Sequence, residues 1–267
     1  MATNRRDAFN HIHVSMPHSG VLCPGEIPLE SLSGKQAELA SNVDWHTDRL
    51  YDFRDLLGNS QTVFPFSQVY INVNRHPDAL DACVPDSIDG VPVYRRGKRL
   101  SLNFKRMLVR KYHDAYHAAI KGSRKSFILD GHSTVTGHAD AGGNKVCDDI
   151  IISDRQQTPW DPPGGIRTAP DGLMEIYAEE LARQLGSGIR VGCNTTYCDT
   201  YGHVMACHGW DGIQPRNGRV PLLLQETNEH LYIKGSVLDV LALEVLRRAF
   251  AVSLSRMVQK MGRRLNF

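Results

Sequence analysis

Short apolar runs that end abruptly in polar residues recur along this chain of 267 residues. The clearest is Ser126–Ser133, in which Phe-Ile-Leu leads into Asp-Gly-His-Ser. Residues 13–20 and 220–226 show related patterns. Such runs are typical of buried parallel strands, and ligands of open α/β sheets bind at the carboxyl ends of the strands. The pattern predicts that three polar side chains lie at strand ends and form a metal hydrolase site: His18, His132 and Glu226.

Segments with helical and strand-like patterns alternate along the rest of the chain. Helices are predicted over 44–57, 102–121, 173–185 and 237–261, and further strands over 63–73 and 188–192, with a short apolar run at 150–152. This alternation predicts a single α/β domain over 1–267, with helices on both faces of its sheet. The long loops at 76–98 and 138–172 follow strand ends, where substrate walls are usually built.

Composition narrows the class of protein. The chain is 41% hydrophobic, which is enough for a proper core, and its net charge of +2 gives no global nucleic-acid signature. No stretch approaches the roughly 20 apolar residues of a membrane span, and residues 1–6 lack the apolar core of a signal peptide. The six cysteines form no CxxC pair and are expected to be free thiols. We therefore expect a cytoplasmic protein without a nucleic-acid or membrane partner.

A catalytic zinc ion commonly takes three ligands from His and Asp or Glu side chains and leaves a fourth position for water. His18 and His132 are natural donors because both follow apolar runs and precede small residues. Asp44 and Asp48 are four residues apart, so they share one face of the predicted helix. Either could supply the third ligand while the other orients a histidine. In the alternative interpretation these residues only cap loops or carry solvated charges.

Two further positions suggest roles in binding and proton transfer. Glu226 follows an apolar run, where partial desolvation raises a carboxyl pKa and suits proton transfer. Asn74 and Arg75 stand together after a predicted strand, and arginine binds carboxylates through two parallel hydrogen bonds. These groups could instead form structural ion pairs.

At these residues the chain resembles the N-formylglutamate amidohydrolase family, which is related to the aspartoacylase and zinc-carboxypeptidase folds. No single tetrapeptide is decisive, but six matching segments occur in the family's order. They are Pro17–Gly20 (PHSG), Asp44–Tyr51 (DWHxDRLY), Asn74–Arg75 (the end of DLNR), Tyr116–His117 (the end of PYH), Asp130–Ser133 (DxHS) and Glu226 with Tyr232 (QxE…Y).

The resemblance implies a mixed, mostly parallel sheet of the zinc-carboxypeptidase type. It implies one zinc ion per chain and a small anionic substrate, by default N-formyl-L-glutamate, which is hydrolysed to formate and L-glutamate. Other divalent ions also suit such a ligand set. It assigns His18, His132 and Asp48 as metal ligands, with Asp44 less favoured than Asp48, Glu226 as general base, Asn74 and Arg75 as substrate-binding residues, and His117 as a catalytic hydrogen-bonding residue near the metal.

Several positions depart from the family pattern. Gln68 stands where the family usually has arginine, and Asn72 stands where it has aspartate. Ala115 replaces the proline of PYH, Leu224 replaces the glutamine of QxE, and the loop at 194–201 is altered. A missing arginine removes either a carbonyl-polarising group or a carboxylate contact. The departures therefore raise a second possibility, a zinc hydrolase for another N-acyl amino acid or a short peptide.

A third interpretation is not enzymatic. Residues 95–125 contain eleven Lys or Arg and one acid, Asp114, so this segment could bind anionic partners of a scaffold protein. The retention of a general base and of metal ligands argues against it. The apolar residues of 237–261 suit core packing, and a contact in a homo-oligomer is the alternative.

Overall fold

The computed structural model describes residues 11–137, 145, 147–156, 166–196, 202–210 and 219–264. At its centre lie the strands β1 (Ile12–Met16), β2 (Ser60–Val63), β5 (Phe127–Thr134), β6 (Ile150–Ser153), β9 (Val191–Cys193) and β10 (Leu222–Asn228). They form a six-stranded sheet with the order β2-β1-β5-β10-β6-β9. The other strands within the described ranges form three small hairpins: β3 (Ser87–Ile88) with β4 (Val91–Pro92), β7 (Arg155–Gln156) with β8 (Ile166–Arg167), and β11 (Ile233–Lys234) with β12 (Val237–Leu238).

The sheet is mixed and mostly parallel, as predicted. Strands β2, β1, β5 and β10 run parallel to one another, whereas β6 pairs antiparallel with β10 and β9 pairs parallel with β6. The continuous apolar run of β5 follows from its central position. Phe127 and Leu129 pack into one core cluster and Ile128 packs into the other, because successive side chains of a strand point to opposite faces.

Helices cover both faces of this sheet, which confirms the predicted α/β class. The α-helices of the described ranges are α1 (Gln36–Leu39), α2 (Thr47–Leu50), α3 (Arg54–Leu57), α4 (Leu80–Cys83), α5 (Leu102–Leu108), α6 (Asp114–Gly122), α7 (Leu173–Leu185), α8 (His203–His208) and α9 (Val240–Arg264). One core cluster includes residues of the two long helices, α7 and α9, which pack against each other, and the other includes residues of α5 and α6. A π-helical turn, Val109–His113, joins α5 to α6, so the helical stretch predicted over 102–121 is continuous.

The chain departs from the predictions at two segments before β5. The helix predicted over 44–57 begins only at Thr47, because His46 adopts a left-handed conformation with φ 64° and helix geometry does not pass through it. It is then interrupted between α2 and α3, where Tyr51 and Phe53 have ψ of 12° and 13° and leave the helical region. Of the strand predicted over 63–73, only Val63 belongs to a strand. Pro65 offers no N–H to a ladder, and the N–H groups of Tyr70 and Ile71 bond the carbonyl of Ser67 in a turn.

The C-terminal helix also begins later than its apolar pattern predicts. Val237–Leu238 pair with β11 as a strand, and Asp239 then accepts a hydrogen bond from the Ala242 N–H at 2.9 Å, which caps the helix start. Helix α9 continues from there over 25 residues. Across the ranges that the structure describes, no helix has both the length and the apolar character that spanning a membrane would demand.

Candidate active site

Three neighbouring parallel strands bring the predicted strand-end residues together. Glu226 of β10 lies directly opposite His132 of β5 in the strand register. Strand β1 borders β5 on its other side and ends two residues before His18. The rings of His18 and His132 meet edge to face, with centroids 4.9 Å apart. The sheet thus gathers both histidines and the glutamate at one edge.

Asp44 completes a compact group with the two histidines. Its Oδ2 atom lies 3.1 Å from His132 Nδ1 and 3.8 Å from His18 Nδ1. The backbone fixes this position, because the Asp44 N–H donates to the His18 carbonyl at 3.1 Å. One ligand atom from each of the three residues lies within 4.8 Å of the others. We call His18, Asp44 and His132 the triad.

Asp48, the third ligand that the resemblance favours, lies apart from the two histidines in this structure. Asp48 is exposed and lines a surface hollow with Arg49 and Arg247, whereas Asp44 is buried. The prediction required both aspartates on one helix face, but α2 begins only at Thr47. The left-handed turn at His46 separates the two carboxylates, so Asp44 joins the histidines and Asp48 remains at the surface.

Each histidine of the triad is held by a second polar group. His18 Nε2 lies 3.0 Å from Asn72 Oδ1, and His132 Nε2 lies 3.3 Å from Asp130 Oδ2. Ser15 in turn donates its hydroxyl to Asp130 Oδ1 at 2.8 Å. Each Nε2 has an oxygen partner and therefore carries an N–H group, and each Nδ1 lies on the side of Asp44. Metal-binding histidines are commonly oriented in this way.

The charges around His132 favour a cation. Burial opposes a charged imidazole, but the carboxylates of Asp130, Asp44 and Glu226 together raise the pKa of His132 well above its ordinary value. For His18, burial lowers the pKa to about 4 although Asp44 opposes this shift. The carboxylates of Asp130, Asp44 and Glu226 therefore create a negative field around His132. Such a field favours a positive charge at this position, either a proton or a metal ion.

Glu226 has the environment predicted for a proton-transfer group. It is 7% exposed, and burial raises its pKa to about 8, with His132 opposing and Asp44 and Asp130 adding to the shift. Its Oε2 atom is buried and has no hydrogen-bond partner within the described part of the chain. A carboxyl group with such a pKa can both accept and release a proton near neutral pH.

The two predicted substrate-binding residues are placed differently. Asn74 is buried, and its Oδ1 accepts the N–H of Val204 at 3.0 Å, which holds the first turn of α8. Arg75 is exposed, and among the causes that lower the pKa of His18 its charge ranks after burial and after the neighbouring His132. Binding of a substrate carboxylate by this pair stays a prediction.

His117 lies outside the triad. Its Nε2 donates to the Val73 carbonyl at 2.8 Å, and its Nδ1 lies 3.0 Å from His208 Nε2. Both ring nitrogens are therefore engaged by protein groups beside the backbone of Val73. A catalytic role for His117 stays a prediction.

Asp130 and Tyr51 have no predicted role, although both belong to segments that resemble the family's motifs. Asp130 stands two positions before His132 on one strand, so the period-2 rule could have placed both side chains on one face. The Tyr51 hydroxyl donates to the His132 carbonyl at 2.9 Å and lies 2.8 Å from Thr227 Oγ1. Tyr51 thereby joins β5 and β10 directly beside the site.

Two departures from the family pattern contact each other. Asn72 Nδ2 donates to Gln68 Oε1 at 3.0 Å, and Gln68 Nε2 donates to the Asn42 carbonyl. A neutral chain of amides therefore stands behind His18 where the family has an acid and an arginine. The segments 138–144, 157–165 and 197–201, which include much of the predicted loop walls, lie outside the described residues.

Comparisons with known proteins show relatives of this chain and of its fold. A curated N-formylglutamate deformylase of Pseudomonas aeruginosa is 31% identical over 116 residues, which cover 40% of this chain and 42% of that protein. A crystal structure of an N-formylglutamate amidohydrolase from Ralstonia eutropha superposes with a TM-score of 0.70 at 20% identity, covering 95% of this chain and 94% of that one. A gene product of Agrobacterium tumefaciens has a TM-score of 0.62 at 12% identity, with 94% and 91% coverage. The family described as N-formylglutamate amidohydrolase matches residues 11–233, and the chain belongs to it.

Proposed function

We propose that this protein is a metal-dependent hydrolase that cleaves the N-acyl amide of an acidic amino acid. N-formyl-L-glutamate is the default substrate, and its hydrolysis gives formate and L-glutamate. The observation that carries the proposal is the triad of His18, Asp44 and His132 beside the buried carboxyl of Glu226. Family membership and the name of the Pseudomonas aeruginosa relative support the same reaction.

The donor set of the triad fits a zinc ion. Two imidazoles and one carboxylate are a common catalytic ligand set, and the Nε2 atoms of both histidines are already engaged by Asn72 and Asp130. Among the described residues Oε2 of Glu226 has no hydrogen-bond partner, which is consistent with a ligand or water beside the triad. An ion held there supplies Lewis-acid polarisation of the acyl carbonyl and lowers the pKa of water. The same donors also accept other divalent ions.

The protein's own residues supply the proton transfers and the orientation of the substrate. Glu226 as carboxylate takes a proton from the attacking water, and as carboxylic acid it returns that proton to the leaving nitrogen. The amide C–N bond breaks in this step and the amino group leaves neutral. Arg75, with Asn74 fixing its backbone, binds the α-carboxylate of the substrate through paired hydrogen bonds.

Another N-acyl amino acid or a short peptide is the second candidate substrate. Gln68 favours it, because its amide bonds Asn42 and Asn72 and cannot supply the charge of an arginine. A panel of N-acyl amino acids would separate the two candidates. A clear preference of the wild-type protein for N-formyl-L-glutamate would reject the second candidate. A Gln68→Arg variant that gains activity toward N-formyl-L-glutamate would support the second candidate for the wild-type protein.

The basic segment 95–125, on which the scaffold interpretation depends, is less positively charged at its surface than its composition suggests. Lys105 is 2% exposed and lies 2.8 Å from Asp81 and 3.1 Å from Asp86. Lys111 pairs with Glu26. Part of the positive charge is therefore neutralised within the chain. We propose a small anionic N-acyl amino acid as the partner, and a cytoplasmic location.

The test is the release of amine from N-formyl-L-glutamate while zinc is titrated into chelator-stripped protein. We expect activity to appear with zinc and to be absent from the His132→Ala variant at every zinc concentration. His230→Gln serves as the control, because the side chain of His230 is 50% exposed and lies outside the triad. Zinc binding without turnover would reject this substrate, and full activity in His132→Ala would overturn the proposed site.

A further inference from the structure

A second group of histidines lies outside the triad. His113 and His117 are four residues apart on one helical stretch, so both face the same side, and His203 begins helix α8. Their ring centroids are 4.5 Å apart for His113 and His117, 4.7 Å for His117 and His203, and 5.1 Å for His113 and His203. One ring nitrogen from each residue lies within 4.8 Å of the others.

Backbone carbonyls orient two of these rings as they would in a metal site. His113 Nε2 donates to the Arg75 carbonyl at 3.0 Å, and His117 Nε2 donates to the Val73 carbonyl at 2.8 Å. A neutral imidazole that donates from Nε2 carries its lone pair on Nδ1. Both residues therefore present Nδ1 as the donor atom for an ion, with the other nitrogen fixed by the protein.

The groups nearest to these donors are compatible with an ion. Asp114 Oδ1 lies 3.4 Å from His113 Nδ1, where it adds a negative charge. His117 Nδ1 lies 3.0 Å from His208 Nε2, and this hydrogen bond would be exchanged for a bond to the metal. His113 and His203 are 1% and 6% exposed and His117 is half-buried, so the three rings are largely shielded from solvent.

We propose that His113, His117 and His203 form a second metal site, distinct from the triad, for a borderline divalent ion such as Zn²⁺. Three imidazoles suit zinc, nickel, cobalt or copper, whereas magnesium and calcium prefer oxygen ligands. A pair of histidines four apart on one helix is a recurrent way to present two zinc ligands. The third ligand comes from another helix, so the ion joins α6 to α8.

An ion at this position would stiffen the segment Val73–Arg75. The rings of His113 and His117 hold two of its carbonyls, and the carbonyl of Asn74 accepts the N–H of His203 at 3.2 Å. All three ligand residues thus already contact this segment. We expect metal at the second site to raise the thermal unfolding temperature even when the triad cannot bind metal.

The test counts zinc ions by calorimetric titration of chelator-stripped protein and does not depend on catalysis. Wild-type protein is expected to bind two equivalents, and both His132→Ala and the double variant His113→Gln/His203→Gln are expected to bind one. In the His132→Ala background the remaining equivalent should raise the unfolding temperature. The matched control is His76→Gln, because the ring of His76 lies 5.3 Å from that of His203 but supplies no ligand atom to the group. It should keep both equivalents.

A second measurement uses only wild-type protein, so it does not depend on whether the variants fold. Long-range ¹H–¹⁵N spectra of the imidazoles should show zinc-dependent shifts of Nδ1 in His113 and His117 at the second equivalent. A single equivalent that His132→Ala abolishes would overturn the second site. Zinc-dependent shifts confined to His18 and His132 would also overturn the second site, but they would be compatible with the proposed hydrolase site.

Discussion

His132 Nε2 lies 3.3 Å from Asp130 Oδ2, and the two side chains leave the same face of β5. Asp130 is held from the other side by the hydroxyl of Ser15, which also lies 2.8 Å from the Tyr116 hydroxyl. All four residues are buried. A continuous hydrogen-bonded line therefore runs from Tyr116 to the ring of His132 and fixes the orientation in which Nδ1 faces Asp44.

Asp130→Asn should weaken metal binding without abolishing it. The amide keeps the shape of the side chain but removes the charge that supports the His132 N–H, and losing such a partner costs roughly 10–100-fold in affinity. Competition with a chromophoric chelator measures the change. Ser15→Ala should give a smaller loss, since it acts only through Asp130. Equal affinities for Asp130→Asn and wild type would contradict this role.

Asp44→Asn and Asp48→Asn separate the two candidate ligands. We expect the Asp44 variant to lose more zinc affinity than the roughly 10–100-fold that removal of an outer partner costs, because a direct ligand is lost. Asp48 is exposed, so its variant should bind zinc as wild type does. The same chelator competition decides between them, and the reverse result would restore Asp48 as the ligand.

Glu226→Gln should retain zinc and lose turnover. Removing a general acid–base group lowers kcat by roughly 10²–10⁴-fold, whereas the triad is unchanged. The control is Glu229→Gln, because the carboxylate of Glu229 accepts the Ser133 hydroxyl at 2.9 Å and is not assigned to proton transfer. Steady-state kinetics with N-formyl-L-glutamate measures both. Wild-type kcat in the Glu226 variant would refute its role as the base.

Gly131→Ala should destabilise the fold. A Cβ atom at Gly131 would lie 2.7 Å from Cδ2 of Tyr51, whose fully buried ring cannot move aside. Overpacking of this kind costs about 1–3 kcal/mol in the free energy of unfolding, which urea denaturation measures. Gly122→Ala is the matched control, because a Cβ there meets no atom within 4 Å, and a helical alanine should be neutral or stabilising.

Stability should fall in mild acid partly through His13. Burial, with a further contribution from Lys125, lowers the pKa of this histidine from 6.5 to about 4. The unfolded chain therefore binds a proton that the folded chain does not, so stability present above pH 6.5 is lost as the pH falls toward 4. The loss reaches about 3 kcal/mol, on the order of 1.4 kcal/mol per pKa unit.

His13→Gln removes this titration while retaining polar contacts to Ser60 and Thr62, which His13 contacts at 2.8 Å and 3.1 Å. Urea unfolding of both proteins at pH 7, 5.5 and 4.5 measures the difference. The free energy of unfolding of the variant should fall less steeply than that of wild type. Parallel pH profiles would show that His13 does not contribute.

Local pattern was sufficient for much of the fold and part of the site. The apolar runs before His132 and Glu226 predicted strands, because a strand buried on both faces needs apolar residues at consecutive positions. Helix α7 matches its predicted bounds, since its amphipathic period and its flanking glycine are local signals. The family motifs then indicated which polar residues at the strand ends carry chemistry.

Tertiary structure alone decided which carboxylate joins the histidines. Asp44 and Asp48 are equivalent on an ideal helix, but the left-handed turn at His46 and the hydrogen bond from Asp44 to the His18 carbonyl select Asp44. Asn72 reaches His18 because Pro65 and Ser67 are hydrogen-bonded to Leu22, shortly after His18, and the chain turns at Ser67 before Asn72. Residues far apart in sequence are brought together by the chain topology, and a local pattern of side chains does not specify which distant residues will be in contact. Local pattern therefore predicts the strands before His132 and Glu226 and the polar residues at their ends. The turn in place of the strand expected over 63–73, and the contacts between distant residues, depend on how the chain packs.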